Sequence, residues 1–195
     1  MLKDLVLKNR SYRGYDPSVR LTREDLVDLV ELARFTGSSV NVQPLKYYIA
    51  WKQEEVAQIQ ALTMWAGALK EMKLPHPGKE PAAFIIICQD MNLNSNSTKF
   101  LRDIGVAAQT MLLGAVEKGL GGCMIGSFYK PKLMDLLKLP EGVEPNLIVA
   151  LGKPAEKIVL TDVGEDGSTR YYRNAEDTHY VPKRSLEDLV LEAKQ

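Results

Sequence analysis

The stretch TKFLRDIGVAAQTMLLGAVEKGLGGCMIGSF, residues 98–128, decides the fold. From Ile104 to Val116 it is apolar almost all round, the pattern of a helix covered on every side. In a chain of 195 residues such a helix lies beneath a sheet or is shared at a subunit interface. Gly105, Ala107 and Ala108 permit close backbone approach. Asp103, near the helix start, suits a terminal carboxylate that satisfies amides, and it is assigned no catalytic role. Past Gly119 the run GGCMIGSF reads as a short strand entering a loop.

Working outward, AAFIIICQD (82–90) and EPNLIVALGKP (144–154) do not alternate, so both are strands covered on two faces. LTREDLVDLVELARFTG (21–37) is a helix capped by Thr22 with Asp25 at the third helical position. Its inner face is Leu26, Leu29, Val30 and Ala33, and Gly37 ends it. SSVNVQPLK (38–46) is a loop leading into a strand, YYIAW. QEEVAQIQALTMWAGALKEM (53–72) reads as helix with a break near Gly67, followed by a proline-rich loop. KPKLMDLLKLP (130–140) is a short helix with Pro131 near its start. After Gly152 the chain turns polar, with a turn at EDGS and a last amphipathic helix from Ser185. About four strands mixed with helices, without regular alternation, give an α+β class in one domain, 1–195. The polar tail has little core of its own and is expected to wrap around a partner subunit.

Composition removes several functions. Lys and Arg together number 25, as do Asp and Glu, so there is no basic field for nucleic acid or an anionic membrane. Cys88 and Cys123 lie in apolar runs with no CxxC, which suits a reducing cytoplasm and no disulfide framework. The charged N-terminus is not a signal peptide, and no run reaches the roughly 18–20 apolar residues of a membrane span. His76 and His179 lack ligand spacing, so no metal site is expected. No P-loop, GxGxxG or GxSxG motif occurs, so if the chain is an enzyme its hard chemistry is expected from a bound cofactor rather than from side chains.

Against that neutral background NRSYRGYD, residues 9–16, is a local cluster of Arg10, Ser11 and Arg13. A cluster of this kind serves either as a solvated turn or as a site for a local anion.

Five stretches, in order along nearly the whole chain, resemble the FMN-dependent nitroreductase family. They are NRSYRGY (9–15), GSSVNVQPLKYYI (37–49), DIGVAAQTMLLGAVEKGLGGCMIGSF (103–128), LIVALGKPAE (147–156) and HYVPKRSLEDLV (179–190). Gly37 and Asn9 stand where proline and arginine are usual, and Asn9 offers a hydrogen bond without charge. The resemblance implies a nitroreductase-like fold, a mixed central β-sheet flanked by helices, and a C-terminal extension wrapping the partner subunit. It implies a homodimer with FMN sites at the interface. Arg10, Ser11, Lys183 and Arg184 would hold the flavin phosphate, a dianion that needs charge-assisted donors. Arg13 would sit at the pyrimidine edge, where reduced flavin builds negative charge. Ser38, Ser39 and Asn41 would reach the neighbouring subunit's flavin. Met124, Ile125, Gly126 and Ser127 would lie against one flavin face near N5. NADH or NADPH would deliver hydride there, and a nitroaromatic, quinone or similar small-molecule acceptor would follow in ping-pong order. Other activities of the fold (dehalogenation, flavin modification, dehydrogenation) and a non-catalytic FMN binder remain alternatives. The lid is expected within Gln53–Pro81.

Overall fold

The computed structural model describes residues 1–69 and 71–192. They form two compact units, Met1–Trp65 with Leu74–Ala155, and Ala66–Lys73 with Glu156–Gln195.

The first unit is built on strands β1 (Leu45–Ala50), β2 (Ala83–Asp90), β3 (Gly121–Ile125) and β4 (Val143–Gly152) in the order β1-β2-β4-β3. All three pairings are antiparallel, and one isolated parallel bridge joins Ser11 to Gly122 at the β3 edge. β2 is buried from Ala83 to Gln89, which explains its unbroken apolar sequence. Its alternate residues feed two cores. Ile85 and Ile87 join Val149 and Leu151 under helices α2 (Arg23–Arg34) and α4 (Leu101–Glu117). Phe84, Ile86 and Cys88 join Ile148 and Ala150 under α3 (Gln53–Gln60) and α5 (Lys130–Leu137). Helix α1 (Leu2–Lys8) precedes the Arg10 segment.

Local signals explain several ends. Thr22 accepts from the Asp25 N–H while the Asp25 carboxylate accepts from Thr22, a reciprocal cap on α2. The helix stops at Arg34, before the Gly37 expected to end it. Pro131 lies in the first turn of α5.

Helix α4 departs from its predicted burial. Ile104, Ala107, Ala108, Met111 and Leu112 pack inward, while Leu101, Gly105, Val106 and Gln109 are exposed within the single chain. Of the two placements open to an all-apolar helix, one face is beneath the sheet and the other is left uncovered. Helix α3 is also shorter than predicted, because it ends at Gln60 rather than near Gly67. The Thr63 N–H and hydroxyl both return to the Gln60 carbonyl. Met64 N–H then donates to Ser127 O at 2.9 Å, and Tyr129 N–H donates to Leu62 O at 3.0 Å. Pairing with a remote segment thus captures residues that would otherwise extend the helix.

The second unit holds a sheet that the sequence did not announce. Strands β5 (Ile158–Asp162), β6 (Tyr172–Arg173) and β7 (His179–Lys183) lie in the order β5-β7-β6, followed by α6 (Leu186–Leu189). β5 runs parallel and β6 antiparallel to β7. Arg173 is buried between Glu156 and Asp177, and both carboxylates accept from it. An ion-pair triad at the centre of a polar segment replaces the missing apolar core. Tyr172 stacks on Tyr180 with ring centroids 5.0 Å apart, and His179 packs against Tyr171.

Candidate functional site

The Arg10 segment is fixed on the β3 edge. Tyr12 N–H donates to Gly122 O at 3.0 Å, beside the Ser11–Gly122 bridge. Tyr15 is fully buried, and its hydroxyl donates to Tyr12 O at 2.7 Å. Ala155 N–H donates to Gly14 O. The paired glycines of β3 make this approach possible. A Cβ on Gly121 would stand 2.6 Å from the Tyr12 ring, and one on Gly122 would collide with the Ala150 carbonyl. Two of the clusters singled out in sequence, residues 10–13 and the GGCMIGSF strand, therefore belong to one surface.

Within that surface Arg10 donates from Nη2 to Val6 O at 2.8 Å, which fixes the guanidinium against α1. Its Nε is buried with no hydrogen-bond partner among the described residues. A buried cationic donor left over in this way is free to meet an acceptor from a ligand. Arg13 donates from Nη1 to Ser11 O at 3.1 Å. Ser11 itself is exposed.

Beyond Ile125 the chain leaves the sheet, and Gly126 and Ser127 are exposed. A Cβ at Gly126 would meet nothing within 4 Å, so space lies open above the backbone there. Met124 is exposed on the otherwise buried β3, whereas Ile125 is buried in the second core. Ile125 thus offers a ligand its backbone rather than its side chain. The Leu62–Met64 turn pairs with Ser127–Tyr129 and borders the same loop.

The loop with Ser38, Ser39 and Asn41 is tied by side-chain hydrogen bonds to α4 and to itself. Both serine hydroxyls donate to Asp103 at 2.7 Å. The Asn41 carboxamide oxygen accepts from Gln43 Nε2 at 3.0 Å. Burial pushes the Asp103 carboxyl up, but the donors from Ser38 and Ser39 outweigh it and hold the group below the usual 3.8. Burial, and then the Asp103 charge, raise the Tyr47 hydroxyl. Lys183 and Arg184 belong to the second unit, exposed at the end of β7 and just before the Ser185 cap of α6.

Other chemistry is thin. Burial pushes the Cys88 thiol up to about 12, so it is no nucleophile. Among the described residues there is no cluster of three or more His, Cys, Asp or Glu able to hold a metal, and no helix long and apolar enough to cross a membrane. Asp103 is the residue whose part the sequence underrated. The signal was available, since it is the single carboxylate among the inward-facing residues of an apolar helix.

A two-core antiparallel sheet with an arginine segment clamped to its edge defines a nitroreductase-like α+β protein. Residues 6–153 match the profile of the Nitroreductase family, and the chain belongs to that family. It is 27% identical over 172 residues to the FMN reductase (NADPH) of Bacillus subtilis, covering 78% of this chain and 65% of that protein. NfrA1 nitroreductase from B. subtilis superposes with a TM-score of 0.65 at 25% identity, over 80% of this chain and 67% of that one. A nitroreductase family protein from Streptococcus pneumoniae covers 100% of both chains with a TM-score of 0.71 at 16% identity, a likeness of fold.

Proposed function

We propose that the protein is an FMN-dependent oxidoreductase that draws electrons from NADH or NADPH and reduces a small electrophilic acceptor such as a nitroaromatic or a quinone. The observation that carries this reading is the Arg10 segment, clamped to β3 with a buried guanidinium donor unanswered among the described residues. FMN, when bound, supplies two-electron redox chemistry between a nicotinamide donor and an organic acceptor. The chain's own residues bind and orient. Arg10 and Ser11 take the phosphate. Arg13 carries its fixed charge to the pyrimidine edge, where it favours the reduced, more anionic form. Gly126 and Ser127 present backbone N–H groups to one ring face, and the open space over Gly126 admits a planar ligand. Donor and acceptor use one pocket in turn, so no side chain need act as nucleophile.

The working form is a homodimer. Leu101, Gly105 and Val106 are exposed on α4, flanked by Arg102 and Gln109, and a second copy would cover them. Ser38, Ser39 and Asn41 then approach the partner subunit's flavin, and the C-terminal segment from Ser185 lies on the partner. FMN sites at the interface follow from both.

The test is spectroscopic. Protein purified without added cofactor, or reconstituted with FMN, should show flavin bands that bleach within seconds on anaerobic addition of NADH or NADPH. Arg10→Ala should raise the FMN dissociation constant by about tenfold or more, the worth of a charge-assisted bond. Absence of bands after reconstitution would overturn the reading. Bands that neither donor bleaches would leave a flavin binder without reductase activity.

A further inference from the structure

Asp103 is only 5% exposed, yet no cation among the described residues bonds it. Its carboxylate's three donors, two serine hydroxyls and one backbone N–H, come from one loop 64–65 residues away in sequence. Oδ2 accepts from Ser38 Oγ at 2.7 Å and from Ser39 N–H at 2.8 Å, while Oδ1 accepts from Ser39 Oγ at 2.7 Å. Ser38 Oγ in turn accepts from Gln43 N–H at 3.0 Å, and Asn41 N–H donates to Ser38 O at 2.9 Å. One carboxylate on α4 thus anchors the start of the turn, and the anchored serine closes its end.

The turn itself is unfavourable backbone. Val40, Asn41 and Gln43 all stand in the left-handed region, with φ of 55°, 54° and 51°. For asparagine this is tolerable, but for a β-branched valine it is an outlier that persists only where surroundings over-determine it. Val40 gains no burial in return, being 86% exposed. The conformation therefore serves nothing in the chain's own core. A conformation held against its own preference, and aimed outward, is the arrangement expected of a turn pre-set for something that binds it.

We propose that Asp103 is a positioning residue for cofactor binding. It latches the Ser38–Gln43 turn in its strained form so that the turn meets FMN already ordered. The inference rests on the flavin reading above. It assigns Asp103 no contact with the cofactor and no proton transfer. Its effect is to remove the ordering cost that a loose turn would charge against binding.

The experiment has two readouts. Hydrogen–deuterium exchange of the segment spanning residues 38–43 is followed in flavin-free protein, and the FMN dissociation constant is measured by flavin fluorescence. Asp103→Asn turns an accepting oxygen into a donating amide facing Ser38 and Ser39. Ser39→Ala removes one donor but leaves the carboxylate and α4 intact, which keeps the test available if Asp103→Asn folds poorly. Asp25→Asn, which weakens the α2 cap only, is the structural control. Exchange at 38–43 should quicken by about tenfold in both latch variants, and the FMN dissociation constant should rise by about tenfold, the scale of one lost bond to a charged group. Ser39→Thr should restore both, and Asp25→Asn should change neither. Unchanged exchange would overturn the latch. Faster exchange with unchanged FMN affinity would overturn its service to the cofactor. A wild-type chain that takes up no FMN would overturn the flavin reading and this service together, while exchange still reports on the latch alone.

Discussion

Single carboxylates decide much of the local order. Asp25 and Asp103 are both held below the ordinary 3.8, Asp25 by the Thr22 N–H and hydroxyl, Asp103 by the serine donors that overcome its burial. A carboxyl depressed in the folded state stabilises that state wherever it is ionised. The contribution is complete above the unfolded value near 3.8 and is lost as pH falls through the lower folded value. Stability should therefore fall on acidification below about pH 4, the range of free carboxyls. Asp103→Asn should be destabilised at pH 7 by about 1–3 kcal/mol through its orphaned donors. It should also lose less on going from pH 5 to pH 2.5 than the wild type does. Urea unfolding at both pH values reads the difference. An acid limb as steep in the variant as in the wild type would show that other groups govern it.

At the scale of elements, strand β3 carries the strictest demand. A side chain at Gly122 would drive into the Ala150 carbonyl of the paired strand and the Leu112 side chain of α4. Backbone cannot yield as a flexible side chain can, so Gly122→Ala should cost about 1–3 kcal/mol and lower Tm by roughly 2–4 °C for each. Calorimetry checks this, and an unchanged Tm would mean that β3 and β4 part more easily than their register implies. The same elements show what a sequence can disclose. The α2 cap was legible because Thr22 and Asp25 act over three residues. The two-faced strands were legible because burial on both sides leaves no polar position. The end of α3 was hidden, since the residues that stop it, Ser127 to Tyr129, stand more than sixty positions away. The second sheet was hidden because an ion-pair triad around Arg173, not an apolar pattern, stands at its centre. In the candidate site, Arg10 to Arg13 could be found by motif. Asp103 itself could be noticed as a lone carboxylate on an apolar face, but its serine partners could not, because residues 64–65 positions away carry no periodic signal.

At the scale of the whole molecule, α4 links the cofactor reading to assembly. Its inward residues fill the core beneath the sheet, while Val106 is 47% exposed and Gly105 has nothing within 4 Å of a built Cβ. An apolar helix face with a glycine at its centre, left open in one chain, suits close helix packing against a second copy, and stable interfaces bury about 1,200–2,000 Å² in total. The latch residue Asp103 sits on this same helix, three positions before Val106. A homodimer packed through α4 would therefore hold the helix that holds the turn. Val106→Glu should leave the fold of the single chain intact, since exposed substitutions cost within about 0.5 kcal/mol. It should convert a dimer to a monomer in sedimentation velocity and weaken FMN binding with it, because a charge on a buried interface cannot find a partner. A dimer indifferent to Val106→Glu would place the subunit contact elsewhere, and a wild-type monomer would overturn the homodimer. A monomeric variant that keeps full FMN affinity would separate assembly from the cofactor site and confine the binding residues to one chain.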